Sequence, residues 1–382
     1  MKDSIHIRVN NQVLIWARES LAMTRNQASE KTGISPKRIA QLEEEEKQPT
    51  LDELKKISKA YKRTIATLLL SKTPKEKPLP TDRRTVDSKE INNFHEKTIM
   101  AVRKARALAQ SAIELRKEMG MTIPKLNYFA KINQNPKAVA VEIHDLLNLN
   151  EIREMTNINY ALEAYIEKIE SMGIAVFQIS LTQDMLRGFS ILDEVIPIIG
   201  IKRGGESPTA KIFSLFHELG HVLLNEGALC DLKEITNFEI EKWCNAFAGE
   251  VLIPTSELLQ LRIVIEQEQR GEKIWSKRDL IALGDYFNVG PLAILRSLLE
   301  NKLTTTDFYK EKHQAWNKPQ FGRAKNTEGR NIAKETIKEK GKTYISLAFS
   351  AFDQNRIDLK DLSDFLGIRL SYISKTRQLL NT

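Results

Sequence analysis

The fold is decided by the stretch Phe213-Ser214-Leu215-Phe216-His217-Glu218-Leu219-Gly220-His221-Val222-Leu223-Leu224-Asn225. This apolar, helix-compatible run contains the pattern H-E-x-x-H. His217 and His221 are four residues apart, so a helix presents both imidazoles on one face, where they can bind one metal ion. Zinc binds neutral imidazole and, in catalytic sites, keeps one position open for water. Glu218 adjoins the first histidine and can take a proton from that water. The competing interpretation is a helix with two incidental histidines.

A second helical run, from Phe238 to Pro254, offers a third ligand. Glu241, Asn245 and Ala248 share one face of this run. A carboxylate on a helix packed against the first would be the third protein ligand and would leave the fourth position to water. The length of the intervening loop does not select among the candidates, and four competing ligands remain open: Cys230, Asp231, Glu234 and Glu239.

Three short apolar runs before the metal-binding stretch predict strands, at 174–179, 188–192 and 195–201. Asp193-Glu194 suits a hairpin turn between the last two. Pro197 lacks a backbone N–H, which predicts that the third strand is an edge strand or carries a bulge. An edge strand beside a metal-binding helix can hold an extended peptide by main-chain pairing.

The segment from Asn10 to Leu70 predicts five short helices. Thr24 caps the second helix, which ends at Gly33. Ser35 caps the third, and Pro36 occupies its first position. Two short helices joined by a tight glycine-containing turn form a helix-turn-helix, whose second helix enters the major groove of DNA.

This pattern resembles the Cro/CI-type (XRE) helix-turn-helix family through Ala28, Gly33, Ile34, Ser35, Ile39, Glu43, Pro49, Leu54 and Ile57. The resemblance implies that some side chains lie nearest the groove and others near the phosphates. The first set is Pro36, Lys37, Arg38 and Gln41, and the second is Arg25 and Asn26. The cationic side chains would supply a salt-dependent attraction to phosphate, and Arg38 or Gln41 could contact base edges.

The sequence departs from the family pattern after Glu43. The family usually has a glycine two residues after this glutamate, whereas here the run is Glu43-Glu44-Glu45-Glu46. Four carboxylates after the recognition helix would repel phosphates. The alternative interpretation of this segment is therefore a helical module that docks on a protein instead of DNA.

The metal-binding region resembles the ImmA/IrrE family of metallopeptidases. The resemblance rests on 216–221, on 241–248, on the ending Leu252-Ile253-Pro254 and on the lead-in Arg187-Gly188-Phe189-Ser190. Together with the helix-turn-helix it covers roughly Asn10 to Pro254, in the order seen in family members with a fused XRE module. It implies that His217, His221 and Glu241 bind zinc and that Glu218 is the general base.

The family resemblance implies an intracellular zinc endopeptidase that cleaves a transcriptional repressor and so releases the genes that the repressor silenced. In such a mechanism Glu218 accepts the proton of the attacking water and later returns it to the leaving amine. The alternative is a DNA-binding transcriptional regulator or antitoxin in which the metallopeptidase fold is not catalytic.

Composition bounds these interpretations. The 382 residues exceed one typical core, and 41% hydrophobic with 28% charged residues are typical of a globular protein. The net charge of +8 is compatible with an acidic partner such as DNA. With two cysteines, no apolar signal segment at the start and no apolar run long enough for a bilayer, we expect a cytoplasmic protein without a membrane partner.

The sequence thus predicts a mainly α fold with a small β-sheet (α+β). The predicted divisions are an XRE-type helix-turn-helix domain at 8–72, a linker at 73–93, an ImmA/IrrE-like zinc metallopeptidase domain at 94–265, and a C-terminal helical region at 266–382 that binds a substrate or partner. Trp316 to Lys342 is polar and basic, which is typical of a mobile connection. Near the end, Leu366-Gly367-Ile368-Arg369 repeats the pattern of the turn at Thr32-Gly33-Ile34-Ser35.

Overall fold

The computed structural model describes residues 6–44, 46–76, 96–181, 187–192, 195–224, 237–316 and 331–380. These residues form many helices and one small sheet, which confirms the predicted fold class. The chain divides into two compact units, Met1–Arg103 and Lys104–Thr382. The finer domain boundaries expected from the sequence stay predictions.

The first unit begins with five helices: α1 (Asn11–Glu19), α2 (Arg25–Thr32), α3 (Pro36–Glu43), α4 (Leu51–Tyr61) and α5 (Ile65–Leu68). Thr24 caps α2 through a capping box with Gln27. Gly33 ends α2 with φ 67° and ψ 17°, a left-handed conformation that favours glycine. Ser35 then accepts the Arg38 N–H and starts α3. These local signals produce the predicted helix-turn-helix.

The core of this unit is a cluster of buried apolar side chains from all five helices, and Leu14, Ile39, Leu54, Ile57 and Leu68 are each at most 2% exposed.

A second helix-rich region follows. The helix α6 (Glu96–Glu118) contains the point at which the chain divides into units. The second unit continues with α7 (Pro136–Leu147), α8 (Asn150–Arg153) and α9 (Ile158–Ser171).

The sheet consists of β1 (Ala175–Ile179), β2 (Gly188–Ile191) and β3 (Ile198–Lys202), in the order β1-β3-β2. β3 pairs in parallel with β1 and antiparallel with β2. The prediction that the third strand is an edge strand was therefore wrong, because β3 is central. Pro197 precedes the strand, and its carbonyl accepts the Ala175 N–H at 2.8 Å, so no ladder hydrogen bond needs a proline N–H. The predicted turn Asp193-Glu194 lies outside the described residues.

A series of helices follows the sheet and carries both the candidate site and the rest of the second unit. In the described residues these are α10 (Pro208–Leu223), α11 (Asn237–Leu252), α12 (Thr255–Leu258), α13 (Arg262–Gln269), α14 (Lys277–Tyr286), α15 (Pro291–Glu300), α16 (Thr306–Trp316), α17 (Ile332–Lys340) and α18 (Lys342–Asp353). One buried apolar cluster runs from Leu126 to Phe308 and includes many side chains of α10 and α11. The helices that form the candidate site are thus embedded in the main core.

The chain ends with α19 (Leu359–Leu366), a short 3₁₀ helix at Leu370–Tyr372 and α20 (Ile373–Leu380). The expected mobile connection falls partly on 317–330, outside the described residues. It was wrong for Ile332–Lys340, which is helical because Ala333 and Ile337, four residues apart, provide one buried stripe. Among the described residues, no helix combines the length and the apolar character that a membrane crossing requires.

Candidate metal centre

The helix α10 is shaped to carry its polar side chains inside the core. Ser207 caps it by accepting the Ala210 N–H, and Pro208 occupies its first position. Apolar residues surround the H-E-x-x-H positions, so His217, Glu218 and His221 are only 6%, 2% and 5% exposed. Buried polar groups of this kind need partners or a bound ion.

Three side chains from α10 and α11 converge on one point. The Nε2 atoms of His217 and His221 are 3.2 Å apart. Glu241 places Oε2 3.3 Å from the His217 Nε2 and Oε1 3.1 Å from the His221 Nε2. Within the described residues, these three form the one group of potential ligands that could hold a metal ion. The two imidazoles and the carboxylate predicted from the sequence therefore lie together.

The spacing fits a tetrahedral metal ion. At zinc–ligand distances of roughly 2.0–2.1 Å, tetrahedral geometry separates neighbouring ligand atoms by about 3.3–3.4 Å. The two imidazole Nε2 atoms are 3.2 Å apart, close to this value, and each faces a different oxygen of the Glu241 carboxyl, at 3.3 Å for His217 and 3.1 Å for His221. A set of two imidazoles and one carboxylate is also a donor set that zinc uses in catalytic sites, with the fourth position left for water.

The carboxyl group of Glu241 supports the same conclusion. Its Oε1 has no hydrogen bond of good geometry within the described residues, although it lies close to His221 Nε2. A bound cation would satisfy this oxygen. Burial alone would raise the pKa of the Glu241 carboxyl, but the two histidines beside it hold that pKa well below its usual range.

Close packing between α10 and α11 brings Glu241 to the histidines. A Cβ atom on Gly220 would lie 3.1 Å from the Cys244 Sγ and 3.2 Å from its Cα, so the absence of a side chain at Gly220 lets the helices approach. Glu239, a competing ligand candidate, is exposed on α11 and is not in the cluster. The other three candidates, Cys230, Asp231 and Glu234, lie outside the described residues.

Two neighbours of the cluster were missed in the sequence. The ring of Phe213, one turn before His217, stacks on its imidazole with centroids 6.4 Å apart. Gly188 of β2 lies against Glu218, because a Cβ there would be 3.0 Å from the Glu218 Cγ and 3.1 Å from its Oε1. The H-E-x-x-H spacing could have suggested the first neighbour, but only tertiary structure brings Gly188 to Glu218.

The candidate DNA-binding residues of the first unit divide into two groups. Asn26, Pro36 and Lys37 are exposed, and Gln41 is half-buried. The two arginines are instead bound to carboxylates of the same unit. Arg38 donates from Nε and Nη2 to the two oxygens of Glu53, at 2.8 and 2.9 Å.

Arg25 is held by the acidic run itself. Its Nε donates to the Glu43 carboxylate at 2.8 Å, and its Nη1 donates to Glu44 at 3.0 Å. Glu43 is buried and also binds Arg18 at 2.6 Å, so it does not project towards solvent. The expectation of repelling carboxylates was therefore wrong for Glu43 and Glu44, which are paired with arginines. Glu46 is exposed, and Glu45 lies outside the described residues.

Comparison with protein-family models finds two matches. Residues 169–298 match the model Peptidase_M78, described as the IrrE N-terminal-like domain, and residues 14–68 match the Helix-turn-helix model HTH_3. No curated protein gives a significant match. The two matches confirm the predicted resemblance, an XRE-type helix-turn-helix followed by an ImmA/IrrE-like, metallopeptidase-type domain.

Proposed function

We propose that this protein is a zinc-dependent endopeptidase with a DNA-binding helix-turn-helix, and that it cleaves a transcriptional repressor. The observation that carries the proposal is the convergence of His217, His221 and Glu241 on one point, with the buried carboxyl of Glu218 beside them on α10. A purely structural zinc site would not need Glu218 and tends to fill all four positions with protein ligands.

Each residue of the site has its own role in this proposal. Zinc held by His217, His221 and Glu241 would supply a Lewis acid and lower the pKa of a water molecule. Glu218 takes the proton from that water as the peptide carbonyl is attacked, and then gives it to the leaving amine. Its burial at 2% exposure keeps bulk water away from the carboxyl. The absence of a side chain at Gly188 leaves room for the Glu218 carboxyl.

The strand β2 supports an extended peptide as substrate. Within the described residues β2 pairs with β3 along one edge, and no strand pairs along its other edge. Its first residue, Gly188, contacts Glu218, so a peptide added to the strand would pass beside the candidate base. Main-chain pairing of this kind binds extended segments with little dependence on side chains. The role that the sequence analysis gave to the third strand is therefore proposed for the edge strand β2.

The helix-turn-helix supports a substrate that is associated with DNA. A match to the Helix-turn-helix model covers 14–68, and the second helix of the pair exposes Lys37. A repressor bound near the same DNA would meet the peptidase at a raised local concentration. We therefore favour the repressor, rather than a soluble metabolic enzyme, as the protein substrate.

The test uses a matched set of glutamate variants. The wild type, Glu218→Gln, Glu241→Gln and Glu239→Gln are each co-expressed with the repressor encoded beside the gene, and intact repressor is measured by immunoblot. We expect the repressor to disappear with the wild type and with Glu239→Gln, and to survive with the other two. Loss of a general base lowers rates by about 10²–10⁴-fold.

The zinc content of the purified proteins distinguishes a metal ligand, Glu241, from a general base, Glu218. The wild type, Glu218→Gln and Glu239→Gln are expected to hold one zinc per chain, whereas Glu241→Gln should hold less. Equal survival of the repressor with the wild type and Glu218→Gln, with zinc bound in both, would favour the non-catalytic regulator. A gel shift at two salt concentrations tests whether the helix-turn-helix binds DNA, because binding through phosphates weakens steeply as the salt concentration rises.

A further inference from the structure

The last two helices repeat the local architecture of α2 and α3. Asp358 caps α19 through a capping box with Asp361, as Thr24 caps α2 with Gln27. Gly367 ends α19 at φ 61° and ψ 33°, close to the φ 67° and ψ 17° of Gly33. Both α2 and α19 have eight residues, and in both motifs a buried isoleucine follows the glycine.

Most buried positions coincide between the two motifs, although Glu43 of the first is buried and its counterpart Arg377 is exposed. Counted from the capping residue, the same five positions are buried in each pair. They are Ala28, Thr32, Ile34, Ile39 and Leu42 in the first pair, and Leu362, Leu366, Ile368, Ile373 and Thr376 in the second. Cap, turn and buried face therefore agree, and 358–380 is a second helix-turn-helix of the same plan.

The outer face of the second helix differs from that of α3. Lys375 and Gln378 share one face of α20, and Ser371 lies four residues before Lys375 in the 3₁₀ turn that leads into the helix; all three are exposed. Arg369, directly before that turn, is exposed as well. Neither Arg369 nor Lys375 forms an ion pair with another described residue, whereas Arg25 and Arg38 of the first motif are bound to carboxylates.

The face formed by Arg369, Ser371, Lys375 and Gln378 is positively charged, which favours binding of a polyanion. No carboxylate occurs between Arg369 and Leu380, whereas α3 ends in Glu43 and is followed by Glu44. The two aspartates at the start of α19 accept backbone N–H groups of the capping box. The face thus offers two cations that are not paired within the described residues, together with two neutral hydrogen-bonding side chains. Recognition helices approach phosphates and base edges with this combination of side chains.

We infer that 358–380 is a second DNA-binding element, which places Arg369, Ser371, Lys375 and Gln378 against the major groove of duplex DNA. The two cations contact phosphates or guanine, and Ser371 and Gln378 donate or accept hydrogen bonds at base edges. This inference does not depend on the peptidase activity.

The test measures binding of the full-length protein to a fluorescent random-sequence duplex of about three helical turns. The paired variant Arg369→Ala/Lys375→Ala is compared with Lys125→Ala/Lys310→Ala, which removes the same charge from exposed positions of the same unit. All proteins carry Lys37→Ala/Gln41→Ala, so that the first motif contributes less. Removing one cation that neutralises a phosphate should lower the slope of log K against log salt by about 0.9.

We expect Arg369→Ala/Lys375→Ala to lower the affinity at low salt at least about 10-fold and to reduce the slope by close to two units, and the control pair to change affinity less than about 2-fold. Ser371→Asp gives a second readout. A carboxylate in the first turn favours the helix but repels phosphate, so binding should fall while thermal stability is kept. Unchanged DNA binding in both variants would overturn the inference.

Discussion

Gly220→Ala probes the packing that brings Glu241 to the two histidines. The new Cβ would lie 3.1 Å from the Cys244 Sγ and 3.2 Å from the Cys244 Cα and Cβ. Two of these three close approaches would remain even if the sulfur moved. The helices α10 and α11 must therefore separate by a few tenths of an ångström, and Glu241 moves with α11.

The expected magnitude is a balance of two effects. Alanine in a helix interior is more favourable than glycine by roughly 0.5–1 kcal/mol. Overpacking a close contact costs about 1–3 kcal/mol. The net result is a loss of roughly 0–2.5 kcal/mol in the free energy of unfolding. A displaced ligand of this kind lowers metal affinity by about 10- to 100-fold, the range typical of changes to residues that position ligands.

Gly249→Ala is the matched control, because it makes the same change within α11. A Cβ at Gly249 would meet no atom within 4 Å. Only the helix preference then acts, so the free energy of unfolding should rise by about 0.5–1 kcal/mol and zinc affinity should stay as in the wild type. Urea unfolding of the apoproteins and zinc titration against a chelator measure the two quantities. The argument that a side chain at residue 220 separates α10 from α11 would be refuted if Gly220→Ala were as stable as Gly249→Ala and bound zinc as tightly as the wild type.

Three further predictions concern other contacts. Glu43→Gln removes the buried carboxylate that binds Arg18, which keeps its contacts with Glu19 and the Met23 carbonyl, so urea unfolding of the first unit should show a loss of about 1.5–3 kcal/mol, and a loss below about 1 kcal/mol would contradict this. Hydrogen bonds from Arg38 lower the pKa of the Glu53 carboxyl from 4.5 to about 2. The ionised carboxyl therefore stabilises the fold above pH 4.5, and this stabilisation is lost as the pH falls towards 2. The wild type should therefore exceed Glu53→Gln by up to about 3 kcal/mol at pH 7, and the difference should shrink in urea titrations at lower pH. Gly188→Ala displaces Glu218, so cleavage should slow about 100-fold while zinc content is kept, and equal losses of zinc and activity would argue against this role.

The helix-turn-helix and the helix that carries H-E-x-x-H were predictable because their signals are local. Thr24, Gly33 and Ser35 act on backbone groups within a few residues, and the structure places a cap, a left-handed turn and a cap at these positions. The pairing of His217 with His221 follows equally from the pitch of one helix. None of these features depends on a distant part of the chain.

The sheet order and the position of the candidate third ligand depend on distant contacts, and local signals could not decide them. Pro197 suggested an edge strand, but the central strand begins one residue later, where each residue again has an N–H to pair. Similarly, the length of the loop before α11 does not decide whether Glu239 or Glu241 reaches the two histidines. Their different directions follow from the way α11 packs on α10 at Gly220.

The ion pairs of the first motif bear on how a DNA-directed peptidase would act. Arg25 and Arg38 would have to exchange a carboxylate for a phosphate on binding DNA, so each contributes less net affinity than an unpaired cation. Under the proposed function this is sufficient. A peptidase needs only a raised local concentration near its DNA-bound substrate, and it must leave the site once the substrate is cleaved. Carboxylates that compete for the arginines would keep the residence time on DNA short, which suits a catalyst better than a repressor.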